Sequence, residues 1–235
     1  MRTAILLCCG ALVGCARGDD HPSVATRAST VTASSTAIVD SQPIAEKPWA
    51  PDSLPSPGDT TPTGFPTEKA LLRWVHLLPI DSFPDLPSSV RTTLVQRQCQ
   101  IPVPGRHPSN VIKGAFTAKG ATEWAVLCSV NDTSQILILN ATSGAVLDSL
   151  NKSANAGWIQ SYVTPKWLFS RVIALVPVHV LNVVPPDSAD EDVLNYSAWF
   201  PKPIDHDAID QYFIDKAGET YYFAQGRWFS TISSD

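Results

Sequence analysis

The chain has 235 residues, with 17 lysines plus arginines against 22 aspartates plus glutamates and a formal net charge of −5. That mild acidity, without a basic run, argues against nucleic acid as a partner, because phosphate binding needs clustered cationic side chains. Five cysteines are too few for a disulfide-built scaffold, so a hydrophobic core must hold whatever part folds.

Met1 and Arg2 give a short basic start, and Ala4 to Gly14 is an unbroken run of small and apolar residues. The run has the length of a signal-peptide hydrophobic region and is too short to span a bilayer, which takes roughly 20 apolar residues. It ends in Leu12-Val13-Gly14-Cys15, which resembles a bacterial lipobox. The resemblance implies that residues 1–14 are a signal peptide cut away before Cys15, that the Cys15 sulfur receives a diacylglyceryl group, and that the new amino terminus is acylated, with palmitate for example. Cys15 supplies the thiol and Gly14 the room for the peptidase; Cys8 and Cys9 fall in the discarded segment. An ordinary secretory signal with an incidental cysteine is the other reading. Two or three acyl chains hold a protein firmly, whereas one is marginal at about 0.8 kcal/mol per buried CH2. The mature chain is therefore expected at the bacterial cell envelope, facing periplasm or surface. It would be anchored to the membrane without spanning it, and available to an envelope protein partner.

Residues 15–66 turn to Ser, Thr, Ala, Pro and Asp. Such a composition buries too little apolar surface to offset the entropy of ordering, so the segment reads as a disordered, lipid-anchored tether. Its prolines, from Pro43 to Pro66, favour extended backbone, and about fifty such residues reach on the order of 100 Å.

Residues 67–235 are expected to form one globular domain of α+β class. Mainly antiparallel sheet in hairpins and meanders is predicted, with two N-terminal helices and one short C-terminal helix. Thr67 is placed to cap a helix over EKALLRWVHLL, with Ala70, Leu71, Trp74, Leu77 and Leu78 on one face, ended by Pro79. Ser88 to Gln98 reads as the second helix, with Val90, Leu94 and Val95 inward.

Cys99 and Cys128 remain after the expected processing. In an exported chain they are expected to form a disulfide, stabilising by roughly 3 kcal/mol through loop closure. A catalytic Cys128 would need a His or Asn pattern that is lacking, and the spacing fits no zinc motif. Between the cysteines, Gly114, Phe116, Gly120 and the strand Trp124-Ala125-Val126 resemble a single FG-GAP or VCBS-type repeat of the integrin-like propeller blades. In that family an acidic loop often holds calcium. Here Ala115, Thr117 and Lys119 stand at the expected carboxylate positions and only Glu123 is acidic, which argues against calcium, a cation of six to eight oxygen ligands. The resemblance occurs once and carries no propeller with it. On its own residues the stretch reads as a hairpin, Val111–Phe116 with Glu123–Val130, where Trp124, Val126, Cys128 and Val130 share a face.

Gln135–Asn140 and Ala145–Leu150 continue as strands, and residues 151–157 read as a loop. Trp158–Tyr162 and Lys166–Phe169 are short apolar pieces, and RVIALVPVHVLNVV (171–184) reads as one or two strands broken at Pro177, with His179 on the face of Ile173, Leu175 and Leu181. Asp207 is placed to cap a helix from Ala208 to Lys216, and Glu219–Ala224 with Arg227–Ile232 make a terminal hairpin around Gln225-Gly226.

The densest polar group is Asp205, His206, Asp207 and Asp210. Histidine flanked by carboxylates can bind a divalent metal or act as an acid–base pair, while helix capping accounts for the same aspartates. No nucleophile-elbow, zinc-protease, P-loop or dinucleotide pattern occurs, so no cofactor is expected. The leading expectation is a non-enzymatic binding or structural envelope protein, with Trp199, Phe200, Tyr221, Tyr222 and Trp228 as a candidate aromatic surface. The alternative is an exported metal-dependent or histidine-based hydrolase using Asp205, His206 and Asp207.

Overall fold

The central strands of the chain are apolar along their whole length, and the computed structural model shows why: both of their faces are covered. It describes residues 60–62, 65–104, 109–162, 166–183 and 196–233. The lipobox with Cys15, most of the expected tether and the acidic stretch 187–192 lie outside the described residues.

Among the described residues the chain is mostly antiparallel sheet. In chain order the strands are β1 (His76–Leu78), β2 (Ile101–Val103), β3 (Val111–Gly114), β4 (Glu123–Val130), β5 (Thr133–Asn140), β6 (Val146–Ala154), β7 (Ile159–Tyr162), β8 (Lys166–Phe169), β9 (Arg171–Val176), β10 (Ala208–Phe213), β11 (Gly218–Ala224) and β12 (Arg227–Ser233). Four short helices accompany them: α1 (Glu68–Leu71), α2 (Ser88–Gln96), α3 (Val178–Leu181) and α4 (Tyr196–Trp199). Strands β3-β4-β5-β6 form one four-stranded meander and β9-β10-β11-β12 another, while β1–β2 and β7–β8 are separate pairs.

Alternation sorts the first meander into two cores. Trp124, Val126, Cys128, Leu137 and Leu139 face Val90 and Leu94 of α2, together with Ile101. Ala125, Leu127, Ile136 and Ile138 face the other way, onto Phe116, Phe169, Ile173 and Ile209. A strand buried on both sides loses the polar half of its period-2 pattern, which is how EWAVLC and QILIL read. Beyond the second meander, Tyr222 and Ala208 pack with Leu181 of α3 and with Tyr196 and Phe200 of the α4 region. The result is helix, sheet, sheet, helix.

Three expectations about helices and the run 171–184 need correction; in addition, residues 151–154 of the expected loop continue β6 beside β5, and Val95, expected inward, is exposed. The first helix stops at Leu71 although Thr67 caps it, its Oγ1 accepting from Ala70 N at 3.3 Å. His76–Leu78 instead pairs with Ile101–Val103; Pro79 disfavours helical backbone at Leu78, and β2 offers a ladder. The C-terminal helix is a strand: β10 lies between β9 and β11. Ile209, Tyr212 and Phe213 suit a strand as well as a helix, and two flanking strands decide the matter. The third correction concerns the run 171–184. β9 ends at Val176, Pro177 leads into α3, and His179 is exposed, because proline has no amide to give the ladder.

The terminal hairpin is as read. Gln225 and Gly226 sit at φ 53° and 74°, the left-handed pair that a two-residue hairpin turn requires.

Candidate functional site

Asp205 and His206 meet, and Asp207 faces elsewhere. His206 is 7 % exposed, and its Nδ1 lies 2.8 Å from Asp205 Oδ1 and 3.2 Å from the Tyr222 hydroxyl. The carboxylate can only accept, so Nδ1 carries the proton of that bond. Nε2 is buried without a hydrogen-bond partner, and the ring stacks on Tyr222 with centroids 4.4 Å apart. Asp207 serves the backbone: Oδ2 accepts from Ala115 N and Oδ1 from Val178 N, each at 3.0 Å. It ties the end of β3 to the start of α3. Among the described residues no group of three His, Cys, Asp or Glu is placed to hold a metal, so the three-residue metal reading lacks a convergent ligand set.

Arg171 forms a second polar centre. It is fully buried between the two meanders. Its Nε and Nη2 donate to Gln211 Oε1 at 3.0 and 2.5 Å, its Nη1 to Ser134 O, Ser134 Oγ and Ser153 Oγ at 3.0, 2.8 and 3.1 Å, and its Nη2 to Asn151 O at 2.5 Å. The guanidinium also lies 4.6 Å from the centre of the Trp158 ring, a cation–π contact. All these acceptors are neutral. Burial lowers the group to about 10, partly offset by Tyr221, so it stays charged at neutral pH. Tyr221 accepts from Asn151 Nδ2 at 3.0 Å and donates to Glu219; burial and that carboxylate push its phenol upward.

Beside this centre lies an open cleft of about 330 Å³ lined by Trp158, Phe213, Gly218, Glu219 and Ile232 among others. Trp158 has Phe213 stacked on it, with centroids 4.3 Å apart, and Arg171 near its ring, so the aromatic wall is part of the packing. A second hollow of about 240 Å³ adjoins Cys128 and Lys152. Cys99 and Cys128 have Cα atoms 5.2 Å apart and sulfurs at bonding distance, inside disulfide geometry. Glu123, the acidic residue of the repeat-like loop, is buried and accepts from Phe116 N at 2.6 Å, Thr117 N at 2.9 Å and the Thr117 hydroxyl. Its oxygens hold the loop's own donors.

Behind the second meander, burial raises the carboxyl of Asp210 despite hydrogen bonds from Thr220 and Ser233. Phe200, Tyr221 and Tyr222 are buried, Trp228 is half-buried and Trp199 is 68 % exposed, so the expected aromatic surface reduces to Trp199. The sequence reading also passed over Arg171 and Asn110. A charged residue opening the most apolar run of the domain was the available signal for Arg171; Asn110 offered none. The chain matches no protein-family model, no curated protein and no solved structure at a significant level.

Proposed function

We propose that this is a lipid-anchored bacterial cell-envelope protein whose β-rich domain binds or assembles with another envelope component. The observation that carries the proposal is the apolar run ending in Leu12-Val13-Gly14-Cys15, which sets a thiol beside small residues at the membrane surface. Binding is favoured over catalysis because three of the charged side chains are engaged in the fold: Asp207 and Glu123 hold backbone amides, and Arg171 holds two sheets. The test is intact-mass analysis with fractionation of wild type and Cys15→Ala. Membrane partition with a lipid mass gain in wild type alone is expected; two soluble forms with unmodified cysteines would remove the anchor.

One observation favours a second reading. An Asp205–His206 pair with an unpartnered Nε2 has the arrangement of a general base. A histidine-based hydrolase would cleave members of an ester and amide panel, and His206→Ala would abolish that activity while circular dichroism shows the chain still folded. A panel left untouched by wild type would dismiss it.

A further inference from the structure

An edge strand exposes a row of unpaired amides and carbonyls, and folds shield such rows by shortness, charge, bulges or side chains that fill them. The long edges of this domain differ in that respect. Beside β9, Asn110 lays its side-chain amide against the strand: Nδ2 donates to Arg171 O at 3.0 Å and Oδ1 accepts from Ile173 N at 2.9 Å. β6 has irregular register at two places and carries Asp148 and Lys152, and Arg171 takes its Asn151 carbonyl. β3 has only four residues. β12 is neither short nor bulged. Its seven residues pair with β11 in unbroken register from Ala224–Arg227 to Gly218–Ser233, it contains no proline or lysine, and among the described residues no strand pairs with its outer edge. Its one charge, Arg227, lies over the ring of Phe229 at 4.4 Å. Ile232, near its end, is 74 % exposed.

We propose that β12 is a self-association edge, along which two copies of the chain pair antiparallel about a two-fold axis at Ser230, joining their second meanders into one sheet. The occupant is a second copy because the strand is self-complementary in that register. Arg227 falls opposite Ser233 of the other copy, so the lone charge meets no like charge; Trp228 falls opposite Ile232, covering the exposed side chain with an aromatic on the same face; Ser230 meets itself. Like charges directly opposite each other destabilise a sheet, and apolar pairs support it. Such an isologous contact closes at two copies and leaves no further edge of β12 for growth. The inference stands apart from the anchor and needs no lipid.

The test uses the full-length chain. Opposed residues of an antiparallel pair have Cα atoms about 4.5–5.5 Å apart, within disulfide reach. Ser230→Cys is expected to give a covalent dimer on non-reducing electrophoresis. Arg227→Cys is expected to stay monomeric, since its copies lie about 20 Å apart along the strand. Ser230→Lys, at an exposed position, is expected to weaken the dimer at least tenfold in sedimentation while keeping the wild-type circular dichroism, and mixing it with Ser230→Glu to restore the dimer. A folded Ser230→Cys chain that stays monomeric, equal cross-linking from Arg227→Cys, or a Ser230→Lys dimer as tight as wild type would each overturn the proposal.

Discussion

The two meanders have the same strand count and the same order, yet they are held differently. The first is apolar on both faces, packed by α2 on one side and by the second meander on the other. The second meets the first partly through Ile173 and Ile209, with Phe169 of β8 packed beside them, and partly through the buried guanidinium of Arg171. The difference teaches that an apolar core sets which faces meet, while a few directional hydrogen bonds set how the sheets register. Hydrophobic burial is non-directional; a planar five-donor fork is not.

The largest expected effect lies at that fork. Arg171→Leu strands the Ser134 and Asn151 carbonyls and Gln211 Oε1, buried acceptors that cost about 1–3 kcal/mol each when left unpaired, and a loss of about 3 kcal/mol or more is expected in urea denaturation. Arg171→Lys should recover only a minor part, because an ammonium cannot reach both sheets with the same geometry. A loss below about 1 kcal/mol, the typical size for a point substitution, would put the pivot elsewhere.

Next comes the Cys99–Cys128 pair, which fastens the end of α2 to β4. Reduction, or replacement of both by alanine, is expected to cost roughly 3 kcal/mol by loop closure, read as a lower denaturation midpoint. An unchanged midpoint in reductant would show that the bridge adds nothing to the first meander. Asn110→Ala follows at about 1–3 kcal/mol: it leaves the Ile173 amide without its acceptor, and hydrogen exchange at Ile173 should accelerate.

The smallest effect is pH-dependent. Burial raises the Asp210 carboxyl above its ordinary value, so the folded state holds that proton more tightly than the unfolded one. The corresponding stability is fully present below the unfolded-state value and is lost as pH rises through the raised folded-state value. Asp210→Asn should therefore melt above wild type at pH 7, with the gap closing as pH falls below the ordinary carboxylate range. A gap that widens in acid would contradict the assignment.

The first meander was legible in the sequence because its physics is local. Glu123–Val130 alternates between two faces, and a strand is the only element that places Trp124, Val126 and Cys128 together. The terminal hairpin was legible through Gln225-Gly226, and α2 through Val90 and Leu94. β10 was not, since Ile209, Tyr212 and Phe213 fit helical spacing, and the neighbours that make them a strand come from residues 171–176 and 218–224. The polar cluster was legible as a group and misread in role. Asp207 looked like a cap for its own helix, whereas its partners, Ala115 and Val178, lie far away along the chain. Asn110 was invisible for the same reason: side-chain pairing with a strand edge is a purely tertiary fact.

The most direct measurement of the central claim, that Arg171 pins the second meander to a more deeply held first one, is native-state hydrogen exchange on wild type and Arg171→Leu. The slowest amides are expected in β4 and β5 of both proteins, with a marked loss of protection in β10 and β11 of the variant, beyond its loss in β4 and β5. Equal loss across all strands, or slowest exchange in β11 of wild type, would contradict it.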